Sequence, residues 1–166
     1  MNPLIRITRS LYSNALADLT RPHPFALERV GFMYGRCALD DAGLVLMGSY
    51  QSVPDDDYID DPRVGARINS TAIRRAMQVA FSDSRAVLHV HVHDHEGRPD
   101  FSLTDLDELA RLVPPFCHAA PGSLHGALVL SRNSGSALVW ARAEAQPVPT
   151  ECVSIVGYPL CAWRRS

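Results

Sequence analysis

The sequence predicts a single domain over residues 1–166, of α/β or α+β class, in which helices pack on a sheet. The length of 166 residues and the hydrophobic content of 46% suit one domain with its own core. Short apolar runs of strand length alternate along the chain with segments of helical periodicity. An acidic turn that ends in glycine separates two such runs and predicts a hairpin, and neither a repeat nor a linker divides the chain.

The first half of the chain is predicted to form a strand, a helix and a hairpin. Residues 4–8 alternate like a short strand, and a helix follows until the Thr-Arg-Pro-His-Pro segment at 20–24. Two apolar runs, 29–39 and 43–53, flank the Asp-Asp-Ala-Gly turn and predict the antiparallel hairpin. The next segment, 54–62, contains five aspartates between two prolines and is expected to be a solvated connection.

The second half adds two helices and four strands. Asn69 is the expected N-cap of the first helix, whose apolar stripe consists of Ile73, Ala76, Met77, Ala80 and Phe81. A strand at 85–94 follows, and then a helix from Ser102 whose buried face is predicted to hold Leu103, Leu106, Leu109, Ala110 and Val113. Three more strands are predicted at 125–131, 136–143 and 151–158.

The composition favours a soluble cytoplasmic protein without a nucleic-acid or membrane partner. The net charge is −2 and the pI about 6.4, and no basic block or basic amphipathic helix is present. No apolar run approaches a membrane span, and the N-terminal segment lacks the apolar core of a signal peptide. The four cysteines lie far apart without a CxxC pair, so we expect thiols of a reducing compartment rather than disulfides.

Four of the seven histidines stand on alternate positions of one short segment, at 89, 91, 93 and 95. Because side chains alternate along a pleated strand, His89, His91 and His93 are expected to face one side, and the interleaved apolar residues the other. Two neighbouring imidazoles on one strand face can bind a metal ion. A half-exposed strand in which histidine recurs by chance would have the same pattern, so the pattern alone does not decide between these interpretations.

A carboxylate follows the histidines at the start of a predicted helix. Ser102-Leu-Thr-Asp105 predicts a capping box at the helix N-terminus. From the first helical turn, Asp105 can still direct its carboxylate at the histidine face of the strand. Two imidazoles and one carboxylate leave a fourth tetrahedral position for water, which is typical of catalytic zinc, whereas thiolates more often close a structural site.

A catalytic zinc site also needs a general base for its water, and Glu28 is a candidate. It lies where the chain enters a predicted strand, and Gly31 follows it. On its own, a carboxylate in this position is more often a surface group. The aspartates and the other glutamates compete with it for this role.

Taken together, three short segments resemble the JAMM motif of the JAB/MPN metalloprotease family: Glu28-Arg-Val-Gly31, His91-Val-His93 and Ser102-Leu-Thr-Asp105. The resemblance extends over roughly residues 4–142, with the elements in the same order. It implies an α/β domain with a three-layer JAB/MPN-like fold, in which a mixed, curved β-sheet is packed by helices. It also implies that His91, His93 and Asp105 hold Zn²⁺, that Glu28 is the general base, and that Ser102 helps to hold the oxyanion.

The chain departs from the family pattern at two points. Asp94 stands where the family usually has proline, and eight residues, rather than the usual seven, separate His93 from Ser102. The additional residue falls in a Gly-Pro loop, which can absorb it. Ligation by His89 and His91 would lengthen this separation by two further residues. We therefore expect His91 and His93 to be the ligands, and His89 and His95 to support them or to line the cleft.

The resemblance implies a zinc-dependent isopeptidase or peptidase that cleaves after the C-terminus of a ubiquitin-like protein. Compact bacterial members of the family look like partners of E1-like and E2-like enzymes in conjugation operons, several of which serve phage defence, and we expect such partners here. The acidic loop at 54–62 is then a candidate contact for a basic patch on the modifier. One alternative is a hydrolase that releases a sulfur-carrier protein adduct in biosynthesis. The other is a non-catalytic MPN-type scaffold, which the intact set of motif residues disfavours.

Overall fold

The structure is a computed structural model that describes residues 3–23, 27–38, 43–61 and 64–165. These residues form nine strands, three α-helices and a single 3₁₀ turn at Asp55–Asp57. In chain order the strands and helices are β1 Leu4–Thr8, α1 Arg9–Leu19, β2 Val30–Cys37, β3 Leu44–Ser52, α2 Ser70–Asp83, β4 Ala86–Val92, α3 Leu103–Ala119, β5 His125–Leu130, β6 Gly135–Trp140, β7 Val148–Pro149, β8 Cys152–Val156 and β9 Cys161–Arg164.

The described strands lie in one mixed sheet, in the order β7-β6-β5-β4-β2-β3-β1-β8-β9. β2 pairs antiparallel with both β3 and β4, which confirms the predicted hairpin, although its turn at 39–42 lies outside the described residues. β4 pairs parallel with β5, and β1 pairs parallel with both β3 and β8. The strand that carries the histidines, β4, is therefore an internal strand between β2 and β5.

The helices cover both faces of the sheet. α1 packs on one face, where Leu19 joins a large buried cluster. α2 and α3 pack on the other face, where they contribute Ala76 and Phe116 to a second cluster. The alternation of side chains along β2 separates the two faces, since Met33 lies in the first cluster and Phe32 in the second. The prediction of an α/β domain with a mixed, curved sheet packed by helices is confirmed.

The sheet ends in two short strands that the sequence pattern does not predict. β7 has only two residues, and the four residues of β9, Cys-Ala-Trp-Arg, do not alternate between apolar and polar. The three strands predicted for this part of the chain, β5, β6 and β8, form as expected.

α2 begins where predicted, but its buried face differs from the prediction. The side chain of Asn69 caps the helix by accepting hydrogen bonds from two backbone N–H groups of its first turn. The buried stripe consists of Ala72, Ala76 and Ala80, each at most 3% exposed, whereas Phe81 is 74% exposed. The prediction for Phe81 is wrong because the small alanines form the contact with the core, which turns the larger side chain toward solvent.

α3 also begins where predicted, and again the buried face is only partly correct. Leu109 and Val113 are buried as expected, but Leu103 is 83% exposed and Leu106 is 37% exposed. Ala110 is exposed as well. The first turn of α3 borders a cavity rather than the core, so its burial begins one turn later.

The acidic loop is not a solvated connection throughout, and that prediction is wrong for two of its aspartates. Asp57 and Asp61 are only 6% and 9% exposed. Asp57 forms an ion pair with Arg75 of α2 at 2.5 Å, and Asp61 forms one with Arg67 at 2.9 Å. These carboxylates are therefore neutralised within the chain and hold the loop against the domain.

Two further expectations concern the cysteines and the membrane-spanning potential of the helices. All four cysteines, Cys37, Cys117, Cys152 and Cys161, are free thiols, as expected. Among the described residues, no helix combines the length and the apolar character that a bilayer crossing requires.

Candidate metal centre

β4 presents its histidines on the face of the sheet that α2 and α3 cover. Leu88 and Val90 lie in the cluster on the opposite face, so the predicted alternation is confirmed. The ring centroids of His89 and His91 are 5.8 Å apart, and those of His91 and His93 are 5.0 Å apart. His91 is only 3% exposed. The strand thus places three imidazoles in a row, with the central one buried.

The start of α3 brings a carboxylate to this row. Ser102 is the N-cap of α3: its Oγ accepts a hydrogen bond from the backbone N–H of Asp105 at 3.1 Å, and its own N–H donates to Asp105 Oδ2 at 2.7 Å. The predicted capping box is confirmed. Asp105 Oδ1 lies 3.7 Å from His91 Nε2, and Asp105 Oδ2 lies 3.7 Å from His93 Nε2. The capping interaction therefore holds the carboxylate between the two imidazoles.

The electrostatic environment keeps this carboxyl ionised. Burial by itself would raise the pKa of Asp105, but the adjacent His91 imidazole and the hydrogen bonds with Ser102 outweigh it and hold the pKa well below its usual range. A carboxylate of this kind is an acceptor for either a proton donor or a cation.

Strand pairing brings Glu28 to the same place from far away in the sequence. Val30, at the start of β2, pairs with His91 in antiparallel register, so the chain just before β2 runs beside His93. One ligand atom from each of Glu28, His91 and His93 lies within 4.8 Å of the other two. This His/Glu/His group could hold a metal ion.

A glycine loop fixes the backbone at Glu28. The carbonyl oxygen of Gly65 accepts hydrogen bonds from the N–H groups of both Leu27 and Glu28, each at 2.9 Å. A Cβ atom at Gly65 would lie 2.9 Å from both Cδ and Oε2 of Glu28, so a side chain at that position would displace the carboxylate. Only glycine permits this close approach.

The next residue, Arg29, anchors the same segment through its buried side chain. Its side chain is 3% exposed, and its Nη1 pairs with Asp55 Oδ1 of the acidic loop at 2.7 Å. Its Nε and Nη2 donate to the backbone carbonyls of Arg21 and Pro22 at 3.1 and 2.9 Å. Glu28 is thus flanked by a glycine loop and by a buried arginine, each nitrogen of whose guanidinium donates a hydrogen bond.

The residues present fit a bound metal ion by two criteria. Both ring nitrogens of His91 are buried without a hydrogen-bond partner among the described residues. An unpaired buried polar group costs about 1–3 kcal/mol, so such a nitrogen is normally satisfied by a ligand or water. Two ligands of a tetrahedral zinc ion at roughly 2.1 Å lie about 3.4 Å apart. The separations of 3.7 Å between Asp105 and the two histidines are close to that value.

His89 and His95 have different surroundings. His89 lines the cavity beside His91, and burial together with the neighbouring His91 lowers the pKa of His89 to about 3, so its ring is neutral. His95 is exposed, hydrogen-bonds the carbonyl of Glu96 at 2.8 Å and does not contribute to the cavity lining. Of the two residues expected to support the ligands or to line the cleft, His89 lines it, whereas the ring of His95 lies outside the lining with its centroid 6.1 Å from that of His93.

The candidate site residues share one cavity of about 560 Å³. Its wall includes Glu28, His91, His93, Ser102 and Asp105. The structure thus brings together all five residues singled out in the sequence.

The cavity wall also contains residues that were not predicted from the sequence. Gly65 gives no signal in the sequence, since its role depends on a contact with a residue 37 positions away. Glu108 could have been found from its spacing, because it lies three residues after Asp105 on one helix face. Partial burial and the nearby Asp105 raise the pKa of Glu108. Arg67 and Arg111 complete the charged part of the wall.

The fold and the cavity define an α/β domain with a histidine- and carboxylate-lined site that could hold a metal ion. No protein-family model matches the chain. The functional assignment therefore depends on the geometry of this site and on the motif resemblance.

The position of His89 leads to a prediction about which two of the histidines would bind the metal. His89→Ala is expected to weaken zinc affinity by about 10–100-fold at most, the usual range for a residue that only supports a ligand. His91→Ala and His93→Ala are expected to weaken it far more, because these rings face Asp105 directly. Competition with a zinc-selective chelator dye measures all three affinities. A larger loss of zinc affinity for His89→Ala than for His93→Ala would indicate that His89 and His91 are the ligand pair.

Proposed function

We propose that this protein is a zinc-dependent peptidase or isopeptidase that cleaves the amide bond after the C-terminus of a ubiquitin-like protein. One observation carries the proposal: a buried imidazole with no hydrogen-bond partner among the described residues, a second imidazole and two carboxylates converge in one open cavity. Buried polar groups are normally satisfied, and a metal ion would take up one of the two ring nitrogens of His91. The JAMM-like order of these residues supports the reaction class.

His91, His93 and Asp105 are the residues that would hold the Zn²⁺ ion. Bound zinc polarises a carbonyl group and lowers the pKa of its water to about 7, which supplies a nucleophile at neutral pH. Asp105 is assigned as the carboxylate ligand because both of its oxygens face a histidine nitrogen at 3.7 Å. Its capping interaction with Ser102 fixes its orientation before any ligand arrives.

Glu28 is assigned as the proton carrier. Its carboxylate belongs to the same cluster but is carried by the segment that precedes β2 rather than by α3. From there it can accept a proton at its carboxylate oxygen from the attacking water and deliver it to the leaving amine. The Gly65 loop and the buried Arg29 hold its backbone still, which a positioned acid-base group requires.

Ser102 is suited to stabilise negative charge on the substrate. Its Oγ accepts the N–H of Asp105 and the residue lines the cavity, so its hydroxyl group can turn to donate to an oxygen of the substrate. Such a donor acts on the oxygen that becomes an oxyanion during attack on the amide. Removal of one donor of this type usually lowers the rate on the order of 100-fold or more.

The proposal is tested with fusions of ubiquitin-like proteins to a fluorescent protein, each joined through the C-terminus of the modifier. The modifiers are taken from genes adjacent to the one that encodes this chain. The zinc-loaded protein is expected to release the reporter, with one water added across the amide, as intact-mass measurement detects. The Glu28→Gln variant serves as the inactive control.

Three results would favour other functions. Zinc-free purified protein that binds a modifier but cleaves no fusion would indicate the scaffold. Hydrolysis limited to a small adduct on a sulfur-carrier protein would indicate the biosynthetic alternative. Cleavage that is equally fast in Glu28→Gln would contradict the assigned machinery.

A further inference from the structure

The cavity extends well beyond the candidate metal centre. Its volume of about 560 Å³ lies within the range of roughly 300–1,000 Å³ that small-molecule and side-chain sites occupy. The catalytic set accounts for only part of its lining. The rest includes the apolar residues Val30, Ile68, Ile73, Leu112 and Pro115 beside the charged Arg67, Glu108 and Arg111.

One face of α3 connects the two parts of the cavity. Asp105, Glu108, Leu112 and Pro115 all line it and recur every three or four residues, which is the spacing of one helical face. From Asp105 to Pro115 a helix rises about 15 Å, at roughly 1.5 Å per residue. The lining of the cavity therefore extends along α3 from Asp105 to Pro115, and this part of the cavity is called the groove along α3.

His89 supplies a polar group within this groove. Its Nδ1 is buried and has no hydrogen-bond partner in the part of the chain that the structure describes. His89 also lines the cavity, and its ring packs edge-on against Phe32 with the centroids 5.7 Å apart. An occupant with an apolar body and one hydrogen-bonding group would satisfy both the wall and the imidazole, and a peptide residue with an apolar side chain has this chemistry.

We propose that the groove along α3 is a substrate subsite for a bulky aliphatic or aromatic side chain that lies within two residues of the scissile amide. This inference rests on the proposed function, because the same cavity would hold the reacting amide. The apolar side chain fills the space between α3 and residues 64–68, and a main-chain amide group beside it hydrogen-bonds His89. The subsite thus selects modifier tails or targets by an apolar residue next to the cleaved bond.

Binding of two hydroxamates to the zinc-loaded protein tests the subsite without relying on turnover. One compound is an acetylated phenylalanine hydroxamate and the other is its glycine counterpart, so the two differ only in the side chain. The phenylalanine compound is expected to bind at least about tenfold more tightly, the effect expected for moving an aromatic side chain from water into an apolar site. Isothermal titration or competition measures both affinities.

A matched pair of substitutions locates the effect. Ala66→Phe places a ring into the cavity wall and is expected to abolish the preference, whereas Ala110→Phe on the exposed side of α3 is expected to keep it. Leu112→Ala, which removes part of the wall, is expected to reduce the preference and serves if Ala66→Phe does not fold. Equal affinities for the two compounds in the parent, or a parental preference in both cavity variants, would overturn the subsite.

The outcomes also separate the subsite from the proposed function. Equal hydroxamate affinities together with cleavage of a ubiquitin-like fusion would overturn the subsite alone. Failure of the zinc-loaded protein to bind either compound, together with no cleavage of any fusion, would overturn both.

Discussion

Replacement of Glu28 by glutamine is expected to lower the rate of amide cleavage by roughly 100-fold or more, with the zinc content unchanged. The amide keeps the shape of the side chain but cannot accept a proton. The Glu28 carboxylate lies within 4.8 Å of the ligand atoms of His91 and His93, but the proposed carboxylate ligand is Asp105, each oxygen of which faces one of those rings at 3.7 Å. Loss of the Glu28 charge should therefore affect the proton transfer and spare the metal. Single-turnover cleavage of a fusion substrate and metal analysis of the same sample measure the two effects separately.

Two further variants test whether the effect on the rate is specific to the Glu28 carboxylate. Glu108→Gln alters another carboxylate of the same cavity and is expected to change the rate only a few-fold, since Glu108 is not part of the His/Glu/His group. Gly65→Ala is expected to lower the rate with the metal retained, because its methyl group would displace the Glu28 carboxylate. A parental rate for Glu28→Gln would make Glu108 the next candidate for the base. Asp94 is less suited, since it pairs with Arg132 outside the cavity.

Loss of a metal ligand is expected to remove most of the bound zinc, which should amount to about one ion per chain in the parent protein. His93→Ala removes an imidazole that faces Asp105. Asp105→Asn weakens the carboxylate ligand while its amide oxygen can still accept the N–H of Ser102, so the helix cap is kept. His118→Ala, on the exposed side of α3, is the control and should retain full occupancy. Elemental analysis after dialysis measures the zinc content. Full retention of zinc by both ligand variants would contradict the proposed metal site.

Zinc removal is also expected to destabilise the folded state. Chelation would remove the ligand of one nitrogen of the buried His91, and a ligand that binds only the folded state stabilises it by mass action. In a domain of this length each kcal/mol corresponds to roughly 2–4 °C in Tm. We therefore expect chelator to lower the Tm of the parent by several degrees and to change that of His93→Ala much less. Thermal unfolding with and without chelator measures the difference.

Local features of the candidate site could be predicted from the sequence. The histidines of β4 share a face because side chains alternate along any strand, and this holds whatever the strand packs against. The capping box at Ser102 and Asp105 likewise depends on four consecutive residues. The resemblance added Glu28, which no local rule connects to the histidines. Of the helix predictions, the starts of α2 and α3 were correct because caps are local.

Burial within the helices could not be predicted with the same success. Phe81 and Leu103 belong to apolar stripes by spacing, yet both are largely exposed. Helical periodicity identifies a face but not which turns of that face meet a partner. The alanines of α2 and the later turns of α3 contact the core, and this depends on where each helix ends relative to the sheet.

The acidic loop illustrates the same limit for charges. Its composition suggested a solvated segment, but Asp55 pairs with Arg29 and Asp57 with Arg75, at sequence separations of 26 and 18 residues. Composition records the charges but not their partners, and the partners decide whether a carboxylate is exposed or neutralised.

By itself, the sequence determined that helices pack on a sheet, which strand carries the row of imidazoles and where the helix that carries Asp105 begins, because each follows from periodicity or from a cap of a few residues. Only the tertiary structure decided that Glu28 joins His91 and His93, since this depends on the register of β2 against β4. It alone decided that Gly65 lies against the Glu28 carboxylate and that the cavity lining continues along α3 from Asp105 to Pro115. Pairing and packing between segments far apart in the chain create these features, and no short stretch of sequence contains both partners.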